Sequence, residues 1–150
     1  MPIKQTKYVK LALIALVVVC LDQISKAIIL KLFPMYHSVA VIPGFFNLTH
    51  IHNPGGAFGF LAGHPSAIRH FAFLFVSILA IGFILYFYMK TPPSHPWLAS
   101  GFALIFGGAI GNIIDRLRYG EVIDFLDFYI GRWHWPAFNV ADSAVTIGII

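Results

Sequence analysis

Asp22, Asp115, Glu121, Asp124, Asp127 and Asp142 are the only acids in a chain of 150 residues, and each lies in or beside an apolar stretch. A carboxylate near lipid costs roughly 2.5–3.5 kcal/mol on insertion scales unless it is paired, protonated or hydrated. The chemistry open to acids held there is proton transfer. Asp124 stands among Val122, Ile123, Phe125 and Leu126, with apolar bulk on both sides. Asp142 closes the run Pro136-Ala-Phe-Asn-Val-Ala-Asp142, in which Asn139 and Asp142 are three apart and share a helical face. Pro136 suits a helix start, so a plainer reading makes Asp142 an anion favoured by the helix dipole in a first turn.

Three further motifs carry polar groups into apolar surroundings. In Asp22-Gln-Ile-Ser-Lys26 the acid precedes the base by four positions, the favourable order for an ion pair on one helix face. Such a pair is either purely structural or it orients a substrate or a nearby carboxylate. In His52-Asn-Pro-Gly-Gly-Ala-Phe-Gly-Phe60, Gly55 and Gly56 permit tight backbone geometry and Asn53 offers both a donor and an acceptor. This motif reads equally as a turn or as part of a site. In Gly107-Gly-Ala-Ile-Gly-Asn-Ile-Ile-Asp-Arg116, the glycines four apart suit close helix packing, and Asn112 and Arg116 face one way. Asp115 and Arg116 read as an ion-paired helix end. His50-x-His52 has a metal-like spacing, but no Glu-x-x-His or cysteine partner accompanies it, so no catalytic metal and no cofactor are expected.

The elements that must position these groups are membrane spans. The chain is 59% hydrophobic and only 11% charged, against about 25% charge in a soluble domain. Apolar runs cover residues 9–30, 71–89, 97–114 and 137–150. The last reaches only about 21 Å, against ~30 Å of hydrocarbon, so the natural chain is expected to continue. Lys4, Lys7 and Lys10 precede the first span and place the N-terminus in the cytoplasm. Four spans return the C-terminus to the same side. No small-x-small cleavage site follows the first span, which is expected to be retained. Residues 31–70 and 115–136 then form two segments on the outer side. The first reads as a small twisted sheet, with a strand at Ser38–Ile42, a Pro43-Gly44 turn and an alternating run from Phe45 to Ile51. The second ends in Arg132-Trp-His-Trp-Pro136 and is expected to skim the interface. Basic residues are scattered, which argues against nucleic-acid binding. The single Cys20 excludes an intrachain disulfide.

Taken together and in order, these motifs resemble the lipoprotein signal peptidase family, the bacterial signal peptidase II aspartyl proteases of the cytoplasmic membrane. GGAIGNIIDRLRYGEVIDF (107–125) and PAFNVADS (136–143) carry the resemblance most specifically. The resemblance implies a single membrane peptidase domain over 1–150, all-α with a small extracytoplasmic β element, and four transmembrane helices. It also implies that a surface β-cradle holds substrate and that a short interfacial helix near 56–61 acts as a lid. The catalytic pair maps onto Asp124 and Asp142. Other motif residues map onto Asp22, Lys26, Asn53, Gly55, Gly108, Asn112, Arg116, Asn139 and Ala141. The implied substrate is a diacylglyceryl-prolipoprotein, cut before its lipidated cysteine at the outer face of the membrane. Besides that substrate and membrane lipids no partner is implied, and a monomer is expected. A proton-coupled transporter or channel subunit is the main rival, with acids as relays. A structural assembly factor is the other, and it gives no reason for two motifs bearing Asn and Asp.

Overall fold

The computed structural model describes residues 3–55 and 66–150. Along α1 (Ile3–Leu32) the buried positions are Leu11, Ala15, Val18, Asp22, Lys26 and Ile29. Steps of three and four put them on one face. The opposite face exposes Leu13, Leu16, Val17, Leu21, Ile24 and Ile28. The helix is thus apolar outward and partly charged inward, which suits a helix whose surrounding solvent is hydrocarbon. On α2 (Ser66–Lys90), Phe71, Phe75, Val76 and Phe83 also face outward. On α3 (Pro96–Tyr119), the buried residues Ala99, Ala103, Gly107, Gly108, Gly111 and Asp115 form a stripe of small side chains ending in an acid. Small residues let neighbouring backbones approach closely. A Cβ on Gly111 would lie 2.6 Å from Asp22 Oδ2, and one on Gly108 would strike Ala141 O.

Among the described residues, three helical stretches are long and apolar enough to cross a membrane: Thr6–Leu32, Ala67–Lys90 and Pro96–Tyr119. The fourth helix, α4 (Val140–Ile149), has 10 residues and rises only about 15 Å. The expectation of four full spans is corrected to three plus a short apolar helix. The run at 137–150 starts late because Asn139 caps the helix, leaving Ala137 and Phe138 extended beside the sheet. The expected outer segment at 115–136 is also corrected. Its first five residues continue α3, which ends where Gly120 adopts a left-handed φ of 78° and donates its N–H to Arg116 O. The lid helix expected at 56–61 lies outside the described residues.

The sheet is larger than the sequence suggests. Four antiparallel strands run in the order β1 (Ser38–Ile42), β2 (Phe46–Asn53), β3 (Val122–Ile130) and β4 (Trp133–His134). Nine residues of the segment expected to skim the interface, Val122–Ile130, are therefore strand paired with β2. The register steps from Leu48↔Leu126 to Ile51↔Asp124, so Thr49 and His50 together oppose Phe125. That β-bulge reverses which residues of β2 share a face with β3. Without it, Asn53 and Asp124 would point to opposite sides of the sheet.

The two ends of the helical bundle differ. At one end Lys7 Nζ donates to Thr91 O (2.7 Å) and Lys10 Nζ to Pro96 O (2.8 Å), tying the start of α1 to the α2–α3 turn. The sheet and the buried charged residues Asp22, Lys26, Asp115 and Asp124 lie toward the other.

Candidate active site

Asp142 is fixed by its own helix start. Asn139, the N-cap, accepts from Asp142 N through Oδ1 (2.9 Å), and Asp142 Oδ2 accepts from Asn139 N (3.2 Å). This capping box satisfies two N–H groups that a helix start would otherwise leave unpaired. The other oxygen, Oδ1, accepts from Asn112 Nδ2 on α3 (2.8 Å).

Asn139 reaches the second acid as well. Its Nδ2 donates to Asp124 Oδ1 at 2.8 Å. The two residues meet because Phe138 pairs with Leu126 beside β3: Phe138 O accepts from Leu126 N (2.8 Å) and Phe125 N (3.0 Å). Asp124 Oδ2 accepts from Asn53 Nδ2 (2.9 Å) across the bulged β2–β3 ladder. Gly55 orients that amide. Its N–H donates to Asn53 Oδ1 (2.9 Å), which leaves Nδ2 aimed at Asp124. Gly55 has φ +88°, and a Cβ there would lie 2.7 Å from the Phe73 ring. The two acids, 18 positions apart in the chain, are thus held by one asparagine, one through its side chain and the other through its backbone.

Asp124 is 2% exposed. Burial pushes its pKa from 3.8 up to about 7. Donation from Asn53 opposes the rise, the charge of Asp142 adds to it, and Asn139 and Lys26 oppose it. A groove of about 420 Å³ lined by Trp135, Phe138, Ser143, Thr146 and Ile147 opens onto Asp142.

Behind the pair lies a fully buried ion cluster. Lys26 Nζ sits 2.8 Å from Asp22 Oδ2 and 2.6 Å from Asp115 Oδ2, and it donates to Asn112 Oδ1 at 3.1 Å. The free oxygen of Asp22 accepts from Ala141 N (3.0 Å), and Asp115 Oδ2 also accepts from Ile123 N (3.1 Å). Ala141 and Ile123 are the residues immediately before Asp142 and Asp124. One lysine with two carboxylates therefore anchors the backbone leading into each acid. Gln23 Nε2 closes the cluster, donating to Asp115 Oδ1 (2.9 Å), Asp22 Oδ2 (3.1 Å) and Gly111 O (3.2 Å). Among the described residues no buried side-chain polar atom lacks a partner.

Of the residues singled out in the sequence, Asp22, Lys26, Asn53, Asn112, Asp124, Asn139, Ala141 and Asp142 join this network directly. Gly55 and Gly108 shape it. Arg116 stands beside it: its Nη1 donates to Asn112 O (3.2 Å), with Asp142, Asp115 and Asp124 in its electrostatic surroundings. Two members were missed. In the sequence Asp115 reads as an ion-paired helix end, yet it extends the stripe Gly108, Gly111, Asp115 at helical spacing. Gln23 carried no signal beyond its place between Asp22 and Lys26.

A helical membrane fold carrying two aspartates on a shared amide scaffold defines an aspartic peptidase of the membrane. The chain belongs to the signal peptidase (SPase) II family, whose profile matches residues 14–150. It is 55% identical to a lipoprotein signal peptidase of Desulforapulum autotrophicum, over 95% of this chain and 88% of that one. It is 50% identical to a lipoprotein signal peptidase of Syntrophus aciditrophicus, over 89% of this chain and 83% of that one. A bacterial membrane enzyme solved by the in meso method at 2.3 Å resolution superposes with TM-score 0.81 and 38% identity, covering 93% of this chain and 82% of that structure.

Proposed function

We propose that residues 1–150 act as one integral-membrane peptidase domain with Asp124 and Asp142 as its catalytic pair. The activity is that of signal peptidase II, an aspartic endopeptidase that removes the signal peptide from lipoprotein precursors by cutting before the lipidated cysteine. The observation that supports the residue assignment best is Asn139, which bonds both carboxylates at once.

Two neighbouring carboxylates do not ionise together easily, so the pair holds one proton. Burial raises both carboxyl groups, and Asp124, the more enclosed of the two, keeps the proton. Asp142, in the first turn of α4, is the ionised member. It takes a proton from water as the water oxygen bonds to the scissile carbonyl carbon, while Asp124 gives its proton to the carbonyl oxygen. Collapse of the tetrahedral intermediate re-forms the carbonyl, breaks the C–N bond and delivers a proton to the leaving amine. Acid–base help of this kind contributes about 10²–10⁴-fold, and positioning of peptide and water contributes the rest. Asn112 and Asn139 hold the pair, Asn53 tunes Asp124, and Asp22, Lys26 and Ala141 fix the two backbones. Gly108 admits α4, Gly55 aims Asn53, and Arg116 balances charge beside Asp142.

The substrate in this reading is a diacylglyceryl-prolipoprotein, whose acyl chains stay among membrane lipids while its peptide enters the groove beside Asp142. Lys7 and Lys10 mark the cytoplasmic end, and the pair faces the extracytoplasmic side. Both acids come from one chain, so a monomer suffices. Proton-coupled transport calls for acids strung across the membrane, whereas these gather in one cluster.

Purified protein in lipid, given a diacylglyceryl-modified precursor peptide, tests the assignment. Asp124→Asn and Asp142→Asn should each abolish cleavage while the protein still inserts and binds the precursor. Turnover retained by either variant removes that residue from the catalytic pair.

A further inference from the structure

His50 and His52 stand two apart on β2 and turn their Nε2 atoms toward each other, 3.1 Å apart. Their other nitrogens are already engaged. His50 Nδ1 lies 2.8 Å from Phe33 O, and a carbonyl oxygen only accepts, so this nitrogen carries a proton. His52 Nδ1 lies 3.5 Å from Glu121 Oε2, a carboxylate that favours an N–H on that nitrogen. With both Nδ1 atoms protonated, each neutral ring presents a lone pair at Nε2. Two lone pairs at that separation repel unless a proton or a metal ion lies against both.

We propose that His50 and His52 form a two-nitrogen chelate for a divalent ion of the Zn²⁺, Ni²⁺ or Cu²⁺ class. Imidazole suits these ions. Two nitrogens bound at about 2.0–2.1 Å to a tetrahedral zinc lie about 3.3–3.4 Å apart, close to the observed separation. The surroundings match too, since a metal-binding histidine usually gives its second N–H to a carbonyl or carboxylate, which fixes tautomer and ring orientation. Phe33 O and Glu121 occupy those positions. Among the described residues no group of three or more His, Cys, Asp or Glu side chains converges on one point. The ion is therefore held by two nitrogens and completed by water on the partly exposed His52 side.

This site is separate from the aspartates. Asn53, the residue after His52, turns to the other face of the sheet and bonds Asp124. The ion pins the Thr49–His50 bulge and contributes to structure, not to the hydrolytic step. The proposal is independent of the peptidase reading, because its readout is metal uptake.

Untagged protein stripped with chelator and returned to neutral buffer is titrated with Zn²⁺ by calorimetry, with Cu²⁺ as a spectroscopic probe. The expected result is one saturable equivalent at micromolar concentrations, nitrogen coupling in the Cu²⁺ spectrum, and a higher melting temperature. His50→Ala and His52→Ala should each abolish uptake, Glu121→Gln should weaken it about tenfold, and His70→Ala should leave it unchanged. If His50→Ala does not fold, His52→Ala decides alone. Absence of uptake by the parent protein, or uptake retained in His52→Ala, overturns the site. A proton bridging the rings, seen by nitrogen NMR in protein that takes up no metal, assigns the close approach to that proton instead.

Discussion

Asp124 and Asp127 lie three apart on β3, and each accepts a 2.9 Å hydrogen bond from an asparagine on β2, Asn53 and Asn47 respectively. Their settings differ. Asp124 is 2% exposed, shares Asn139 with a second acid, and has Lys26 nearby only as a screened charge. Asp127 bonds His134 Nδ1 at 2.8 Å, and that histidine is half exposed at the edge of the sheet, its ring stacked on Tyr129. The same residue types make a proton-holding site in one place and a surface contact in the other. Burial next to a like charge, not hydrogen bonding to an amide, separates them. A contact open to water is screened, while a closed one forces a proton onto the carboxyl group.

The largest expected effect breaks this contrast directly. Asp124→Asn should reduce cleavage by about 10²–10⁴-fold or more, whereas Asp127→Asn should stay within a few fold of the parent. Comparable losses in both would mean that the outer pair also takes part in the reaction. Stability should divide in the same way. Lys26→Met leaves two buried carboxylates without their cation and should destabilise by about 3–5 kcal/mol. His134→Ala removes an exposed partner and should cost about 1 kcal/mol or less. Thermal unfolding in detergent reads both, and equal shifts would undo the distinction.

A finer test is the pH profile. The active pair holds one proton, so activity should fall as pH rises through about 7 and Asp124 loses it. Asn53 donates to that carboxylate and favours its anion. Asn53→Ala should therefore raise the pKa further, moving the alkaline limb to higher pH while lowering turnover. Asn47→Ala should leave the limb in place, and a shift there would show that the two sites are coupled. The smallest effect concerns packing. Gly108→Ala presses on Ala141 O and on Val145 Cγ2, 2.8 Å from the new Cβ. It should cost about 1–3 kcal/mol and reduce turnover more than Gly82→Ala, whose Cβ meets open space.

Much of the fold was legible. β1 has the bounds read from its sequence, and the alternating run beside it became β2, two residues longer at the end that carries Asn53. β3 was not legible. Val-Ile-Asp-Phe-Leu-Asp-Phe-Tyr-Ile has no period of two, because its first four residues are all buried and so close both faces of the strand, and alternation marks only strands with one wet face. The missed Asp115 has a similar cause. An acid at a helix end next to an arginine suggests a local pair, but its partners, Lys26 and Gln23, come from a different helix.

The sequence by itself determined what helical spacing can join: Asp22 with Lys26 at four positions, and Asn139 with Asp142 at three as a capping box. It also determined the membrane setting through its apolar runs. Only the tertiary structure decided that Asp22 would hold Ala141, 119 positions away, and that Asn139 would reach Asp124. Those meetings depend on glycines that let α3 approach α1 and α4, and on a bulge that turns Asn53 to the face of Asp124. Helix periodicity acts within a few residues, whereas close approach and strand register exist only once separate elements have packed.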